Sequence, residues 1–321
     1  MPDGCPAARI PGPMPNDNLP LEPEIREPFD QEPPQLIIAT VIPEPPEEEV
    51  RPLRFRRRWK LPLAMFLATC LSTYLVGVSM YPTGGGVYAL CLMTILVCHE
   101  AGHYLQTRRY GVLATYPFFL PLPVPPIGTL GAVIAMDARI KDRKALFDIG
   151  ISGPLAGLVP TLVFCVVGLY YFSETGPIRP DASQFGDPLL LKLLFRLRFG
   201  SLPQGHDVYM GPMGMAAWVG LLITSLNLFP IGQLDGGHVL YALLRRRAHP
   251  IAILLLLAAM AAVVWLKYYW WTLMIVLLVF FGPKHPPTAN DDVPLGPVRV
   301  ILGWLTLGFL VLGFAPNPFA Q

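Results

Sequence analysis

The stretch LPLAMFLATCLSTYLVGVSMY occupies residues 61–81 and contains no charged side chain. It is long enough to form a helix that crosses about 30 Å of hydrocarbon. The ten residues before it, 51–60, read RPLRFRRRWK and carry six basic side chains and no acidic one. Because the cytoplasmic flanks of membrane helices carry an excess of Lys and Arg, the sequence predicts a membrane span whose N-terminal side faces the cytoplasm.

Further apolar stretches follow along the rest of the chain. They cover residues 87–106, 149–171, 213–229, 251–266, 270–281 and 298–314. Charged residues make up 14% of the chain, whereas soluble domains carry about 25%. The composition excludes an ordinary soluble domain, and we predict an all-α polytopic membrane protein with six or seven transmembrane helices. The number is open because residues 267–271 (KYYWW) fit either a turn between two short helices or part of a tilted one.

The N-terminal residues 1–50 differ from the rest in composition. They contain 13 prolines and 11 of the 22 acidic residues, but only two basic ones. Such a segment cannot bury enough apolar surface to offset the entropy of ordering it, so we predict a disordered acidic tail in the cytoplasm. We assign 51–60 to a basic juxtamembrane segment, 61–315 to the membrane domain and 316–321 to a short C-terminal tail. The start of the chain lacks the features of signal and transit peptides, which favours a bacterial inner membrane.

Two acidic side chains, Glu100 and Asp235, lie within otherwise apolar or glycine- and proline-rich sequence at predicted membrane depth. Ionisable groups are costly there, and each one predicts a functional role. Residues four apart share a face of a helix, so His99 and His103 can present their imidazoles to one ion. Glu100 lies about 100° around the same helix and can reach a water on that ion without binding it. This division of labour is the one that a zinc hydrolase needs.

A catalytic zinc ion takes three protein ligands and keeps one position open. Asp235 is the natural third ligand, because this role accounts for an otherwise unpaired carboxylate. His238, three residues further along, is the alternative, since an imidazole would serve equally well. The remaining histidines lie in predicted loops, where a solvated side chain is expected: His206, His249 and His285.

The motif HEAGH at 99–103, together with NLFPIGQLDG at 227–236, resembles the site-2 protease family of intramembrane zinc metalloproteases, peptidase family M50. The family pattern is HExxH on one span and NxxPxxxLDG on a later one, and the pair is far more specific than HExxH alone. GAVI at 131–134 and SGPLAG at 152–157 are also similar, and the resemblance covers roughly residues 60–315. The proline-rich loop and HPP at 285–287 look most like the branch without a PDZ domain, which contains plant chloroplast and bacterial members.

The resemblance implies one zinc ion per chain, bound by His99, His103 and Asp235, with Glu100 activating the attacking water. It places Asn227 near the scissile peptide, holding the substrate or the oxyanion; a hydrogen bond between packed helices is the alternative for this side chain. The implied reaction is hydrolysis of a peptide bond in or near a transmembrane segment, as in regulated intramembrane proteolysis. The expected partners are a membrane-protein substrate and the lipid bilayer, with no nucleic acid.

Two other functional classes compete with this interpretation. A zinc transporter or metal chaperone would place His and Asp side chains along a path and would not need Glu100. An inactive relative that acts in membrane-protein binding or trafficking would normally have lost one of four residues: His99, Glu100, His103 or Asp235.

Two further segments bear on the site. Residues 113–136 contain five prolines after Tyr116, a density that excludes a regular helix. Irregular backbone is tolerated at membrane depth only where protein or a water-filled cavity covers it, so we predict a re-entrant loop or hairpin near the active site, on the cytoplasmic side. Gly153 and Gly157 are four residues apart, a spacing that predicts the close approach of another helix.

Overall fold

The structure, a computed structural model, describes residues 59–136, 140–179 and 184–320, and these are mostly helical. The helices are α1 (Lys60–Met80), α2 (Gly85–Tyr110), α3 (Arg143–Phe172), α4 (Leu189–Phe199), α5 (Pro212–Asn227), α6 (Asp235–Leu244), α7 (Ala248–Trp265), α8 (Thr272–Phe281) and α9 (Pro297–Gly313). The strands are β1 (Phe118–Pro121), β2 (Thr129–Val133), β3 (Ser173–Pro177), β4 (Gln184–Phe185), β5 (His206–Met210) and β6 (Phe319–Ala320). The predicted acidic tail and residues 51–58 of the basic segment lie outside the described residues.

Four helices of the described chain are long and apolar enough to cross a membrane. They are α1, α2, α3 and the stretch Asp235–Trp265, which contains α6 and α7. Three shorter apolar helices accompany them: Pro212–Asn227, Tyr269–Phe281 and Pro297–Gly313. The predicted helical membrane architecture is therefore confirmed in outline, whereas the number of six or seven spans stays a prediction.

The centre of the structure is formed by α2, α3 and α5, which pack against one another. The large side chains Tyr88 and Trp218 are fully buried there. The outward faces of the peripheral helices instead expose leucines, such as Leu67 on α1, Leu254 on α7 and Leu305 on α9. Such leucine-rich faces fit contact with lipid and not with water, because lipid hydrocarbon is as apolar as the leucine side chain.

The proline-rich segment forms a β-hairpin. Strands β1 and β2 are antiparallel, with Phe118 opposite Val133. The connecting turn is held by the neighbouring helices: the Tyr88 hydroxyl donates to the Ile127 carbonyl at 2.9 Å and the Ser72 hydroxyl to the Gly128 carbonyl at 2.8 Å. The sequence predicted either a re-entrant loop or a hairpin, and the structure has a hairpin. Whether this segment enters the membrane stays a prediction.

The link between α5 and α6 is a tight turn that depends on glycine. A Cβ atom on Gly236 would lie 2.0 Å from the Leu228 carbonyl oxygen, so any larger residue would push α6 away from the end of α5. Gly232 has φ of 60°, in the left-handed region that glycine adopts without steric cost. The turn brings Asp235, the first residue of α6, against the middle of the molecule.

Candidate metal centre

His99 and His103 lie one helical turn apart on α2 and are both buried. Their Nε2 atoms are 3.2 Å apart. Nδ1 of His103 is 2.8 Å from the carbonyl oxygen of Ile149 on α3. Because a carbonyl oxygen only accepts, this Nδ1 carries the hydrogen, and Nε2 of His103 keeps a lone pair that can bind a metal.

Asp235 completes a compact group of three side chains. Its Oδ2 is 3.1 Å from Nε2 of His99, and its Oδ1 is 3.2 Å from Nε2 of His103. The possible ligand atoms of the three residues all lie within 4.8 Å of one another. In a tetrahedral zinc site with bonds of about 2.0–2.1 Å, ligand atoms are separated by about 3.3 Å. The donor types and their spacing therefore fit zinc.

His238, the alternative third ligand, is not part of this group. It lies one turn further along α6, and its Nδ1 is 2.6 Å from Nε2 of His285. The structure thus brings Asp235, and not His238, together with the two histidines of α2.

Glu100 and Asn227 face the same cavity as the three possible ligands. The cavity has a volume of about 390 Å³. Glu100 is only 4% exposed, and within the described chain its carboxylate has no hydrogen-bond partner, so it is free to bind a water molecule or a substrate group. Nδ2 of Asn227, the last residue of α5, lies 3.3 Å from Nε2 of His99. Asn227 therefore both lines the cavity and reaches across to another helix.

Gly153 and Gly157 of α3 lie directly against the histidines. A Cβ atom on Gly153 would be 2.0 Å from Nε2 of His103, and one on Gly157 would be 3.0 Å from Cβ of His99. The sequence predicted a close approach at these glycines, and the structure identifies the side chains that use it. The backbone of α3 therefore packs directly against the side chains of His99 and His103.

The model of peptidase family M50 matches residues 87–268, more than half of the chain. The chain belongs to peptidase family M50. The match includes HEAGH on α2 and the segment from Asn227 to Asp235, so the family predicted from these two motifs is confirmed.

Named relatives of this M50 chain occur in plants. "Probable zinc metalloprotease EGY2, chloroplastic" of Arabidopsis thaliana is 32% identical over 161 residues, which is 50% of this chain and 29% of that protein. "Probable zinc metalloprotease EGY1, chloroplastic" of Oryza sativa subsp. japonica is 34% identical over 167 residues, 50% of this chain and 28% of that protein. The matched region thus spans less than a third of these relatives. No solved structure matches the chain.

Two histidines of this M50 chain were misjudged from sequence. His285 was expected to be solvated in a loop, but this is wrong: it is 6% exposed and its ring stacks on Tyr241 with centroids 4.7 Å apart. Burial lowers the pKa of His285 to about 4. His206 is exposed as expected. His249 was also expected to be solvated in a loop, but it lies in the first turn of α7 and is half-buried. The only sequence signal for His285 was the HPP motif, which carries no periodicity that could reveal burial.

The close contact between Gly153 and His103 leads to a testable prediction for zinc binding by this M50 chain. Gly153→Ala should lower zinc affinity by about 10–100-fold, the range seen when the groups that position metal ligands are changed, because the new methyl group would displace His103. The measurement is the zinc retained by purified protein at graded chelator concentrations.

The matched control is Gly308→Ala on α9, where an added Cβ would meet no heavy atom within 4 Å. This variant should retain zinc like the wild type. Equal zinc retention by Gly153→Ala and the wild type would show that α3 does not constrain His103.

Proposed function

We propose that this chain is an intramembrane zinc metalloprotease that hydrolyses a peptide bond in or near a transmembrane segment of a membrane protein. The observation that carries the proposal is the carboxylate of Glu100, which has no hydrogen-bond partner among the described residues, beside the group His99, His103 and Asp235. These residues share a cavity between helices of membrane-spanning length. A zinc carrier has no use for a free carboxylate next to a complete ligand set, whereas a hydrolase requires one.

The roles of the residues follow from their positions. His99, His103 and Asp235 would hold one zinc ion, which supplies Lewis-acid polarisation of the scissile carbonyl and lowers the pKa of water toward about 7. Glu100 accepts the proton of the attacking water and returns it to the leaving amine. Asn227 donates its amide N–H to the substrate carbonyl as negative charge develops on the oxygen.

The β-hairpin supports a way of presenting the substrate. Ala132, Val133 and the residues up to Met136 line the cavity, and within the described chain β2 pairs with β1 alone. Its other edge can pair with an extended peptide. Peptide bonds within a helix are shielded by the helix itself, so a transmembrane substrate must first unwind. Addition as a strand would hold the unwound segment open beside Glu100.

We also propose an orientation in the membrane. The basic segment 51–60 precedes α1, and Arg108 and Arg109 lie in the last turn of α2. Both observations favour a cytoplasmic location for the N-terminus and for the end of α2 nearest the site. Cleavage products would then be released toward the cytoplasm.

The test uses a reporter peptide, defined here as a synthetic peptide with one apolar segment of about 20 residues and a dye at each end. Detergent-purified, zinc-loaded protein should cleave it, and mass spectrometry should locate the cut within or next to the apolar segment. Chelation should abolish cleavage, and zinc, but not magnesium, should restore it. Zinc-loaded protein that leaves the reporter peptide intact, but moves zinc across a vesicle membrane, would establish the transporter alternative instead.

A further inference from the structure

A second pair of histidines lies beside the metal centre. His238 on α6 and His285 in the loop between α8 and α9 are both buried and line the same cavity as Glu100. Nδ1 of His238 is 2.6 Å from Nε2 of His285. His285 lies outside residues 87–268, the part of the chain that matches the family model.

The hydrogen bonds of this pair have a fixed direction. Nδ1 of His285 is 2.5 Å from the carbonyl oxygen of Pro286. A carbonyl oxygen only accepts, so Nδ1 of His285 carries the hydrogen and its Nε2 is an acceptor. His238 must then donate from Nδ1, which leaves Nε2 of His238 with a lone pair and without a hydrogen. These hydrogen bonds thus leave Nε2 of His238 as a hydrogen-bond acceptor.

The loop that carries His285 is firmly attached. His249 donates from Nε2 to the His285 carbonyl at 3.0 Å, and the Gly232 N–H donates to the Pro283 carbonyl at 3.0 Å. The stacked ring of Tyr241 supports His285 from one side. Since burial lowers the pKa of His285, the ring stays neutral at physiological pH. The direction of the hydrogen bonds between His238, His285 and Pro286 is therefore preserved.

The acceptor atom of His238 is available to the cavity. Cβ of His238 lies only 2.8 Å from the position of a Cβ on Gly150, so the backbone of α3 fixes this side chain from behind. Among the described residues, Nε2 of His238 has no hydrogen-bond partner. The fully enclosed side-chain atoms without a partner in the described part of the chain are Gln106 Oε1, Arg143 Nε and Ser225 Oγ, so Nε2 of His238 keeps some exposure. The side chain of His238 lines the cavity.

An unwound transmembrane substrate needs such an acceptor. Unwinding a helix frees backbone N–H groups that the helix had satisfied, and leaving them without a partner in a poorly hydrated site is costly. The cavity offers carboxylate and imidazole lone pairs for the metal, but these are used once zinc is bound. His238 offers a lone pair that the proposed metal centre does not use.

We infer that His238, oriented by His285, is a substrate-binding residue whose Nε2 accepts a hydrogen bond from a backbone N–H of the extended substrate. This inference rests on the proposed protease function and deepens it. Recognition of this kind depends on the main chain of the substrate and is independent of its side chains. A hydrogen bond to His238 would hold the unwound segment in the cavity that β2 also lines.

Two substitutions of similar size separate this role from a structural one. His238→Gln can place an acceptor where Nε2 lies but cannot keep the geometry of the Nδ1 contact to His285. His238→Asn can donate to His285 as Nδ1 does, but its acceptor Oδ1 then lies near the position of the ring Cδ2 and does not reach the position of Nε2. We expect His238→Gln to retain most cleavage of the reporter peptide. His238→Asn should raise KM by about tenfold, as loss of one hydrogen bond between neutral groups does, with little change in kcat.

A second measurement identifies the partner N–H and does not depend on activity. Reporter peptides are synthesised with an ester oxygen in place of one backbone N–H at each position near the cut. Their binding is then measured in the Glu100→Gln background, which leaves the peptide intact. One ester should weaken binding by about tenfold, and the same ester should cost nothing further when His238→Asn is also present, because the two changes remove one hydrogen bond.

The outcomes distinguish this inference from the proposed function. If His238→Asn matches the wild type while His238→Gln is impaired, the histidine pair serves only to attach the loop to α6. If every ester weakens peptide binding equally with and without the His238→Asn substitution, His238 does not bind the main chain of the substrate. In both cases cleavage by the wild type leaves the protease function standing, whereas a zinc-loaded wild type that cleaves nothing overturns both.

Discussion

Glu100→Gln should reduce cleavage of the reporter peptide by about 10³-fold while zinc remains bound, in line with the loss of a general base. Glutamine has nearly the shape of glutamate but cannot accept the proton of the attacking water. Glu100 is not one of the three grouped side chains that fit zinc, so its charge is not needed to hold the ion. Cleavage rate and zinc content are measured on the same preparation.

The matched control for this prediction is Glu174→Gln in β3, an exposed glutamate far along the chain from the site. This variant should cleave at the wild-type rate. Full activity of Glu100→Gln would refute the proposed mechanism. Loss of zinc from Glu100→Gln would instead make the carboxylate a ligand and leave the base unassigned.

Asp235→Ala should lower zinc affinity by more than about 100-fold, since even residues that only support metal ligands are worth about 10–100-fold. The substitution removes the charged member of the ligand group and leaves two neutral imidazoles. His238→Ala should keep its zinc, because the structure places His238 against His285 and outside the group. Zinc per chain, measured by mass spectrometry of the purified proteins, tests both.

Asp235 is also the first residue of α6, where a negative charge favours the helix by about 0.3–1 kcal/mol. Asp292→Ala, which removes an exposed carboxylate, serves as the control for general effects of charge removal. Loss of zinc from His238→Ala with retention by Asp235→Ala would make His238 the third ligand. It would also rule out the substrate-binding role inferred for that residue.

Much of the site could be predicted because its signals are local. The four-residue spacing of His99 and His103 places both on one face of any helix, whatever surrounds it. The cost of a carboxylate in an apolar segment singled out Glu100 and Asp235 without knowledge of the packing. These arguments need only the sequence within one helix.

The parts that could not be predicted depend on distant contacts. His285 meets His238 across 47 residues of sequence, and its burial comes from a loop without any hydrophobic period. The prolines of residues 113–136 excluded a helix, but the pairing of β1 with β2 depends on anchors such as Ser72 and Tyr88 on other helices. The spacing of Gly153 and Gly157 predicted a close neighbour but not that the neighbour would be a metal-binding side chain.

The position of HEAGH along α2 has a consequence for where a substrate is cut. His103 lies seven residues before Tyr110, the last residue of α2. At 1.5 Å per residue, the histidine is about 10 Å from that end of the helix. For the proposed reaction, the position of the site along α2 therefore sets the membrane depth at which a peptide bond can reach Glu100. Substrates of unrelated sequence would be cut at a common distance from the membrane surface.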